Sequence, residues 1–221
     1  MHEIFAVHVA DAAAATGFAL ALVSRFVLSK KPWLWIRQDF AALEMGELYG
    51  PGLAAFGLDP SRLIIVTAPE TAGVLHAAEE ALRCRSVGAV LIEPWGETRT
   101  LDLTASRRLH LAAAENRTTA ILLRSGGRPA PSAATTRWLV GAAPSHWKIE
   151  TEKDSRILGW PRFDAALIRN RQGRTGRWLM EWNNDDRIFR APATFLVRIH
   201  TVAPDRPASP TLEKPALRRA G

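Results

Sequence analysis

The stretch that most constrains the fold lies at residues 3–23, Glu-Ile-Phe-Ala-Val-His-Val-Ala-Asp-Ala-Ala-Ala-Ala-Thr-Gly-Phe-Ala-Leu-Ala-Leu-Val. It reads as a short apolar strand running through a loop into an apolar helix, the layout of a nucleotide-binding strand, loop and helix. A working loop of that kind has glycines whose backbone N–H groups wrap phosphates, a Lys that reaches the outer phosphates, and a Ser or Thr hydroxyl for magnesium. Here Ala12, Ala13, Ala14 and Ala15 stand where those glycines and the lysine belong, and Thr16-Gly17 is the remnant. Each methyl disfavours positive φ, and the loop carries no cation. The expectation is the architecture of an ATPase without its central chemistry, with no cofactor at the degenerate loop.

Further along, apolar strand-like runs at 4–7, 33–37, 63–67, 87–93 and 119–124 alternate with helical stretches, the pattern of a largely parallel sheet covered on both faces. Asp11 is expected to cap a helix reaching to about residue 28, and Pro32 to start the next strand. Pro51 and Gly52 divide 40–56 into two helical pieces. Pro69-Glu70-Thr71 opens a helix to about residue 83 with Val74, Leu75, Ala78 and Leu82 on one face, and 104–116 repeats the pattern with Leu109, Ala112 and Ala113 inward. After residue 124 the grammar changes. Residues 125–134 read as a flexible basic loop, and 163–169 with 176–182 flank Gln172-Gly173-Arg174-Thr175 as an antiparallel hairpin. Asn183-Asn184-Asp185-Asp186 makes a second turn toward 187–190. Prolines and mixed charge from Ala203 onward read as disorder, giving a core domain over 1–200 and a Pro-rich basic tail over 201–221.

Hydrophobic residues make up 47% of the 221, ample for a core, and 29 basic against 22 acidic residues give a formal charge of +7. That balance suits an anionic partner such as nucleic acid without naming it. The lone Cys84 excludes an internal disulfide and a cysteine-cluster metal site, fits a reducing cytoplasm, and is expected to pack late in a helix. Histidines at 2, 8, 76, 110, 146 and 200 form no i, i+4 pair, so no metal is expected. The apolar run from Ala12 meets Ser24 and Arg25 before reaching the ~20 residues that span a bilayer, and reads as a buried helix of a cytoplasmic protein.

Several segments together carry a resemblance. Glu3-Ile4-Phe5-Ala6 looks like the strand leading into the RecA loop, and Trp33-Leu34-Trp35-Ile36-Arg37-Gln38-Asp39 occupies the place of the second strand. Leu48-Tyr49-Gly50-Pro51-Gly52-Leu53, with Phe56-Gly57-Leu58-Asp59-Pro60-Ser61-Arg62-Leu63, is similar to the wording of the ImuA family and is the most specific stretch. Ala89-Val90-Leu91-Ile92-Glu93 corresponds to the Walker B strand, and Phe163-Asp164-Ala165-Ala166-Leu167-Ile168-Arg169-Asn170-Arg171 looks like the late RecA hairpin. The chain thus resembles the ImuA family of RecA-like proteins over roughly residues 3–182. The resemblance implies an α/β, RecA-like (P-loop NTPase-type) fold with a C-terminal antiparallel hairpin. It implies a place in SOS-induced mutagenesis and translesion DNA synthesis, with an ImuB-like polymerase subunit as partner. Through that subunit it implies an error-prone C-family polymerase and the sliding clamp, and RecA itself. The missing loop lysine, and Glu93 in place of the usual Asp, set ATP hydrolysis in doubt. A non-catalytic adaptor is the leading expectation. An ATPase with an altered loop and a weak single-stranded DNA-binding module are the alternatives.

Candidate residues follow from these placements. Asp39 and Glu93 end apolar strands, where open α/β sheets place ligand groups, but without cations a triphosphate would meet two anions there, so both are read as scaffold. Lys30 or Lys31 supplies a cation only if the end of the first helix folds back. Arg169, Arg171, Arg174 and Arg177 gather around one hairpin turn, a basic tip suited to phosphates or an acidic protein face, or an ordinary solvated hairpin. Arg124 and Arg128 flank Gly126-Gly127 in a loop without an aromatic residue for base stacking, so DNA binding there would be weak and electrostatic. Trp33 with Trp35, and Trp178 with Trp182, share strand faces and read as core, while Trp160 before Pro161 is the candidate interface aromatic.

Overall fold

The computed structural model describes residues 1–27, 31–145, 147–150 and 155–192. In chain order the strands and helices are β1 His2–Ala6, α1 Ala12–Phe26, β2 Trp33–Gln38, α2 Asp39–Met45, α3 Gly50–Ala55, β3 Leu63–Ala68, α4 Thr71–Arg83, β4 Ala89–Glu93 and α5 Leu103–Glu115. There follow β5 Thr119–Arg124, β6 Thr136–Ala142, β7 Trp147–Glu150, β8 Ser155–Leu158, β9 Arg162–Asn170, β10 Gly176–Asn183 and β11 Ile188–Arg190. A nine-stranded sheet runs β11-β10-β9-β6-β1-β5-β4-β2-β3. From β3 across to β6 the neighbours are parallel, and β9, β10 and β11 extend the sheet antiparallel. Strands β7 and β8 pair separately. The fold is therefore mixed α/β with a large, mostly parallel sheet and antiparallel C-terminal strands. The expected tail at 201–221 lies outside the described residues.

Alternation along the central strands builds two cores. Ala89 and Leu91 of β4, Ile121 and Leu123 of β5, and Trp33 and Trp35 of β2 face α1 and α3. Val90, Ile92, Ala120, Leu122 and Ile36 face α4 and α5. All five residues of β4 are buried, as expected where helices cover both faces of a parallel sheet. The expected inward faces of α4 and α5 are buried as read, and 40–56 does divide into two helices. Asp102 caps α5, its Oδ1 accepting from the Ala105 N–H at 2.7 Å.

Helix α1 joins the parallel and antiparallel halves. Its Phe18 ring lies 5.3 Å from Trp138, 5.7 Å from Phe163 and 5.1 Å from Phe189, and Phe189 in turn meets Trp182 edge-on at 4.9 Å. The run Val9–Phe26 is long and apolar enough to cross a membrane by length and composition, and half of it is buried inside the protein. A core helix satisfies that test equally well.

Four expectations need correction. Ala12, Ala13, Ala14 and Ala15 are not loop residues: they form the first turn of α1, after a tight 3-10 turn at Val9–Asp11. Asp11 does not cap that helix through its side chain. Its carboxylate accepts from the Ala142 N–H at 2.9 Å and the His8 N–H at 3.2 Å, tying the β1–α1 connection to the end of β6. Strand β6 was not anticipated, because Arg137 and Gly141 interrupt its apolar run. It is buried at Arg137 because Glu3 on β1 accepts from the Arg137 Nε at 2.7 Å. Cys84 is exposed at the end of α4 rather than packed, since the helix stops there and the chain turns away.

One outer strand, β3, pairs only with β2 among the described residues, and its Ile64 and Ile65 are half exposed on opposite faces.

Truncating Phe18 to Ala should cost about 3–5 kcal/mol in urea unfolding, because three aromatic rings lose their common contact. A second outcome concerns His2, whose ring stacks on Phe26 at 5.7 Å and hydrogen-bonds Thr136 Oγ1 through Nδ1 at 2.7 Å. Burial, helped by the nearby N-terminal ammonium, lowers its pKa from 6.5 to about 4. The unfolded chain therefore takes up this proton first as pH falls. Stability present above 6.5 is lost between 6.5 and about 4, and His2→Gln should remove that step from the pH dependence of unfolding.

Candidate functional site

Strands β2 and β4 lie side by side with Arg37 directly opposite Glu93. Arg37 Nε donates to Glu93 Oε2 at 3.0 Å, and Trp35 Nε1 donates to the same oxygen at 2.9 Å. The guanidinium also lies 5.4 Å from the centre of the Trp35 ring and donates through Nη1 to the Gly46 carbonyl at 3.4 Å. Both charged side chains are almost wholly buried, at 2% and 1% exposure. Burial pushes the Glu93 carboxyl above its usual range, opposed by the Arg37 charge and by the hydrogen bonds from Trp35 and Arg37. Asp39 is exposed at the start of α2. Glu93 therefore has Arg37, not Asp39, as its charged neighbour.

Beside this pair opens a cavity of about 620 Å³. Ala13, Ala14, Gly17 and Leu20 of α1 form one wall, Leu48, Tyr49, Leu53 and Phe56 another, and Pro161 and Phe163 a third. Gly17 has a packing reason: a Cβ there would lie 3.1 Å from Phe56 Cζ. The Thr16 hydroxyl is buried without a hydrogen-bond partner among the described residues. Arg162 also borders the cavity, and its Nε donates to Glu181 at 2.7 Å. Of the four charged side chains on the lining, Arg37, Glu93 and Arg162 are thus neutralised within the protein, Glu47 is exposed, and most of the rest is apolar. Tyr49 and Phe56 belong to the stretch that carries the family resemblance but were not read as site residues, and Met45 was not singled out from sequence. Arg37 was missed because its partner lies 56 residues away, and only the strand order makes them neighbours.

The arginines read as a basic face divide into two groups. Arg124 is turned inward: it is 5% exposed, its Nη2 donates to the Gly96 carbonyl at 3.3 Å, and its guanidinium sits 5.6 Å from the Phe5 ring centre. Arg137 covers the same ring at the same distance. Arg169 and Arg171 donate to the Ser132 carbonyl at 2.9 and 3.5 Å, and Arg137 reaches Ser132 Oγ at 2.9 Å. The 125–134 segment is therefore pinned by arginines over most of its second half, with Ser132, Ala133 and Ala134 buried, rather than held out as a free basic loop. Arg177 is paired with Asp164 at 2.7 Å. Arg128, paired with Glu97 at 3.3 Å, and Arg174 face solvent.

Lys31 donates to the Arg85 carbonyl at 2.8 Å, beyond the amino end of β2 and away from the start of α1, so it supplies no cation there. Lys30 lies outside the described residues. Trp33, Trp35 and Trp182 are core, whereas Trp178 is half exposed and rests 6.1 Å from Trp138, because the hairpin is covered on one face only. Trp160 is half buried, between Gly159 and Pro161 on the rim of the cavity.

Fold and site together define a mixed α/β protein whose strand-end cavity is apolar around an internally neutralised ion pair. The chain is similar to Protein ImuA of two Caulobacter vibrioides strains, NA1000 / CB15N and ATCC 19089 / CIP 103742 / CB 15, at 35% identity over 145 residues in each case. The matches cover 61% of this chain and support its membership of the ImuA family. They span 56% of those relatives, just over half their length. No family model matches the chain. Among solved structures, SulA from Pseudomonas aeruginosa aligns with a TM-score of 0.41 at 18% identity, covering 56% of this chain and 96% of that one. A score that low carries no argument about fold or function.

Replacing Arg37 by Leu should cost about 3–5 kcal/mol in urea unfolding, since Glu93 is left as a buried charge without its partner. The double variant Arg37→Leu, Glu93→Leu should regain most of that loss. A double variant as unstable as the single one would mean that packing, not the unpaired charge, sets the cost.

Proposed function

We propose that this protein is a non-catalytic, RecA-like accessory or adaptor protein of SOS-induced mutagenesis and translesion DNA synthesis, acting in the cytoplasm and binding an ImuB-like polymerase subunit. The observation that carries this reading is the state of the strand ends. The carboxylate at the Walker B position is locked to Arg37 and Trp35, and the alanines of the degenerate loop are already helical, so the place where phosphates would be held is an apolar groove instead. The RecA-like part is supported by the parallel strands linked through helices, by Glu93 ending β4, and by the late hairpin of β9 and β10. Similarity to ImuA supports the setting and, by the family resemblance, the partner. An error-prone C-family polymerase, the sliding clamp and RecA are reached through that complex.

A weak single-stranded DNA-binding module is the second reading, favoured by the solvent-facing Arg128 and Arg174. With Arg124 and Arg169 engaged internally and Arg171, though exposed, reaching the Ser132 carbonyl at 3.5 Å, few of these cations remain for phosphates, so binding would be shallow and strongly salt-dependent.

Calorimetry with ATP and magnesium should detect no micromolar binding, and phosphate release should match the blank. Turnover that Glu93→Gln abolishes would overturn the non-catalytic reading and restore the altered-loop ATPase. Co-purification with the ImuB-like subunit should succeed with the wild type. It should weaken at least tenfold in Tyr49→Asp, which places a charge in the apolar groove at a residue 72% exposed and so harmless to the fold.

A further inference from the structure

A second cavity, of about 400 Å³, lies at the amino ends of β2 and β3, the opposite end of these strands from the apolar groove. Trp33, Gly57, Asp59, Arg62 and Arg187 bound it, with Val27, Leu58 and Pro60 as apolar wall. The segment 56–63, so distinctive in the sequence, contributes only Phe56 to the groove. Five of its residues line this second cavity.

Gly57 ends α3 at φ +80°, its N–H donating to the Ala54 carbonyl at 2.8 Å while the Leu58 N–H reaches the Leu53 carbonyl at 3.1 Å. Glycine is needed here twice over, because a Cβ would also stand 2.5 Å from Arg187 Nε. The Arg187 guanidinium lies on that bare backbone. Its own carbonyl is held by Arg25 Nη1 at 3.1 Å, yet the guanidinium makes no hydrogen bond or ion pair among the described residues. Arg62 is paired with Asp59 at 3.1 Å. Trp33 is 1% exposed, and its indole N–H, itself closed off from solvent, has no acceptor among the described residues. Buried N–H groups in folded proteins are nearly always satisfied. The cavity thus combines two guanidinium groups and one carboxylate, a net charge of +1, against the Trp33 ring.

We propose that this cavity binds the carboxylate of a peptide, an acidic side chain or a chain terminus, through the Arg187 and Arg62 guanidinium groups, with the Trp33 ring in the cavity wall. A carboxylate is a planar monoanion that matches one net positive charge and a fork of donors. The apolar wall takes the methylene or main-chain stem behind it. A nucleic-acid backbone would instead need a succession of cations along a track, and Asp59 would repel it.

The test is titration of the full chain, watching the assigned Trp33 indole resonance in ¹⁵N spectra. The probes are acetyl-Ala-Glu-Ala-amide for the side chain, acetyl-Ala-Ala-Ala with a free carboxylate for the terminus, acetyl-Ala-Gln-Ala-amide as the neutral control, inorganic phosphate, and oligo-dT. At least one carboxylate peptide should shift the resonance saturably, and the one that does identifies the source. The neutral peptide should not shift it, and Arg187→Gln should weaken binding at least tenfold. If Arg187→Gln fails to fold, Arg62→Gln, at a half-exposed position, should weaken binding in the same direction. No shift with either carboxylate, an equal shift with the neutral peptide, or unchanged affinity in the folded arginine variants would overturn the proposal. So would tighter binding of phosphate or oligo-dT than of both peptides.

Discussion

The strand ends of this protein are organised by one buried pair of opposite charges. Arg37 and Glu93 sit opposite each other on adjacent parallel strands, and the same carboxylate oxygen receives the Trp35 indole N–H. Such a pair adds little net stability against apolar substitutes, because both ions leave water. What it supplies is position: a shift of β2 against β4 by one residue would strand two charges in the interior. The pair also reaches outward, since Arg37 holds the Gly46 carbonyl just after α2. The wall of the groove is thereby attached to the centre of the sheet.

The second organising element is aromatic. Phe18 on α1 packs against rings from β6, β9 and β11, so the helix that follows the first strand also anchors the antiparallel extension. This accounts for a sheet that changes direction at β6 yet keeps one continuous core on the α1 face. It also explains why the start of α1 is tightly wound and small: Ala13, Ala14 and Gly17 leave room for Phe56 and its neighbours rather than for phosphates.

Much of the parallel half was legible in the sequence, because its strands are apolar runs at regular spacing and its helices carry one-sided stripes. Leu109, Ala112 and Ala113, or Val74 and Ala78, declare their faces without any knowledge of tertiary structure. Strand β6 was not legible, because Arg137 near its start looks exposed until Glu3, 134 residues away, is placed beside it. The arginines misled for the same reason. Arg124 and Arg169 are solvated charges by any local rule, and only the carbonyls of Gly96 and Ser132 and the Phe5 ring show them to be internal props. In the groove, the alanines of α1 were noticed for what they lack. The apolar cavity they help to form depended on α3 and the β9 approach arriving beside them.

At the far margin of the sheet, β3 carries none of the usual deterrents to further pairing. Within Leu63–Ala68 there is no lysine, no proline and no bulge, and Ile64 and Ile65 stand half exposed on either side of a backbone whose outer hydrogen-bonding row is unclaimed among the described residues. The sheet is closed at its centre by two layers of helix and left unfinished at this border. A charge introduced at Ile64 would supply one of those missing deterrents at a half-exposed position outside both cores.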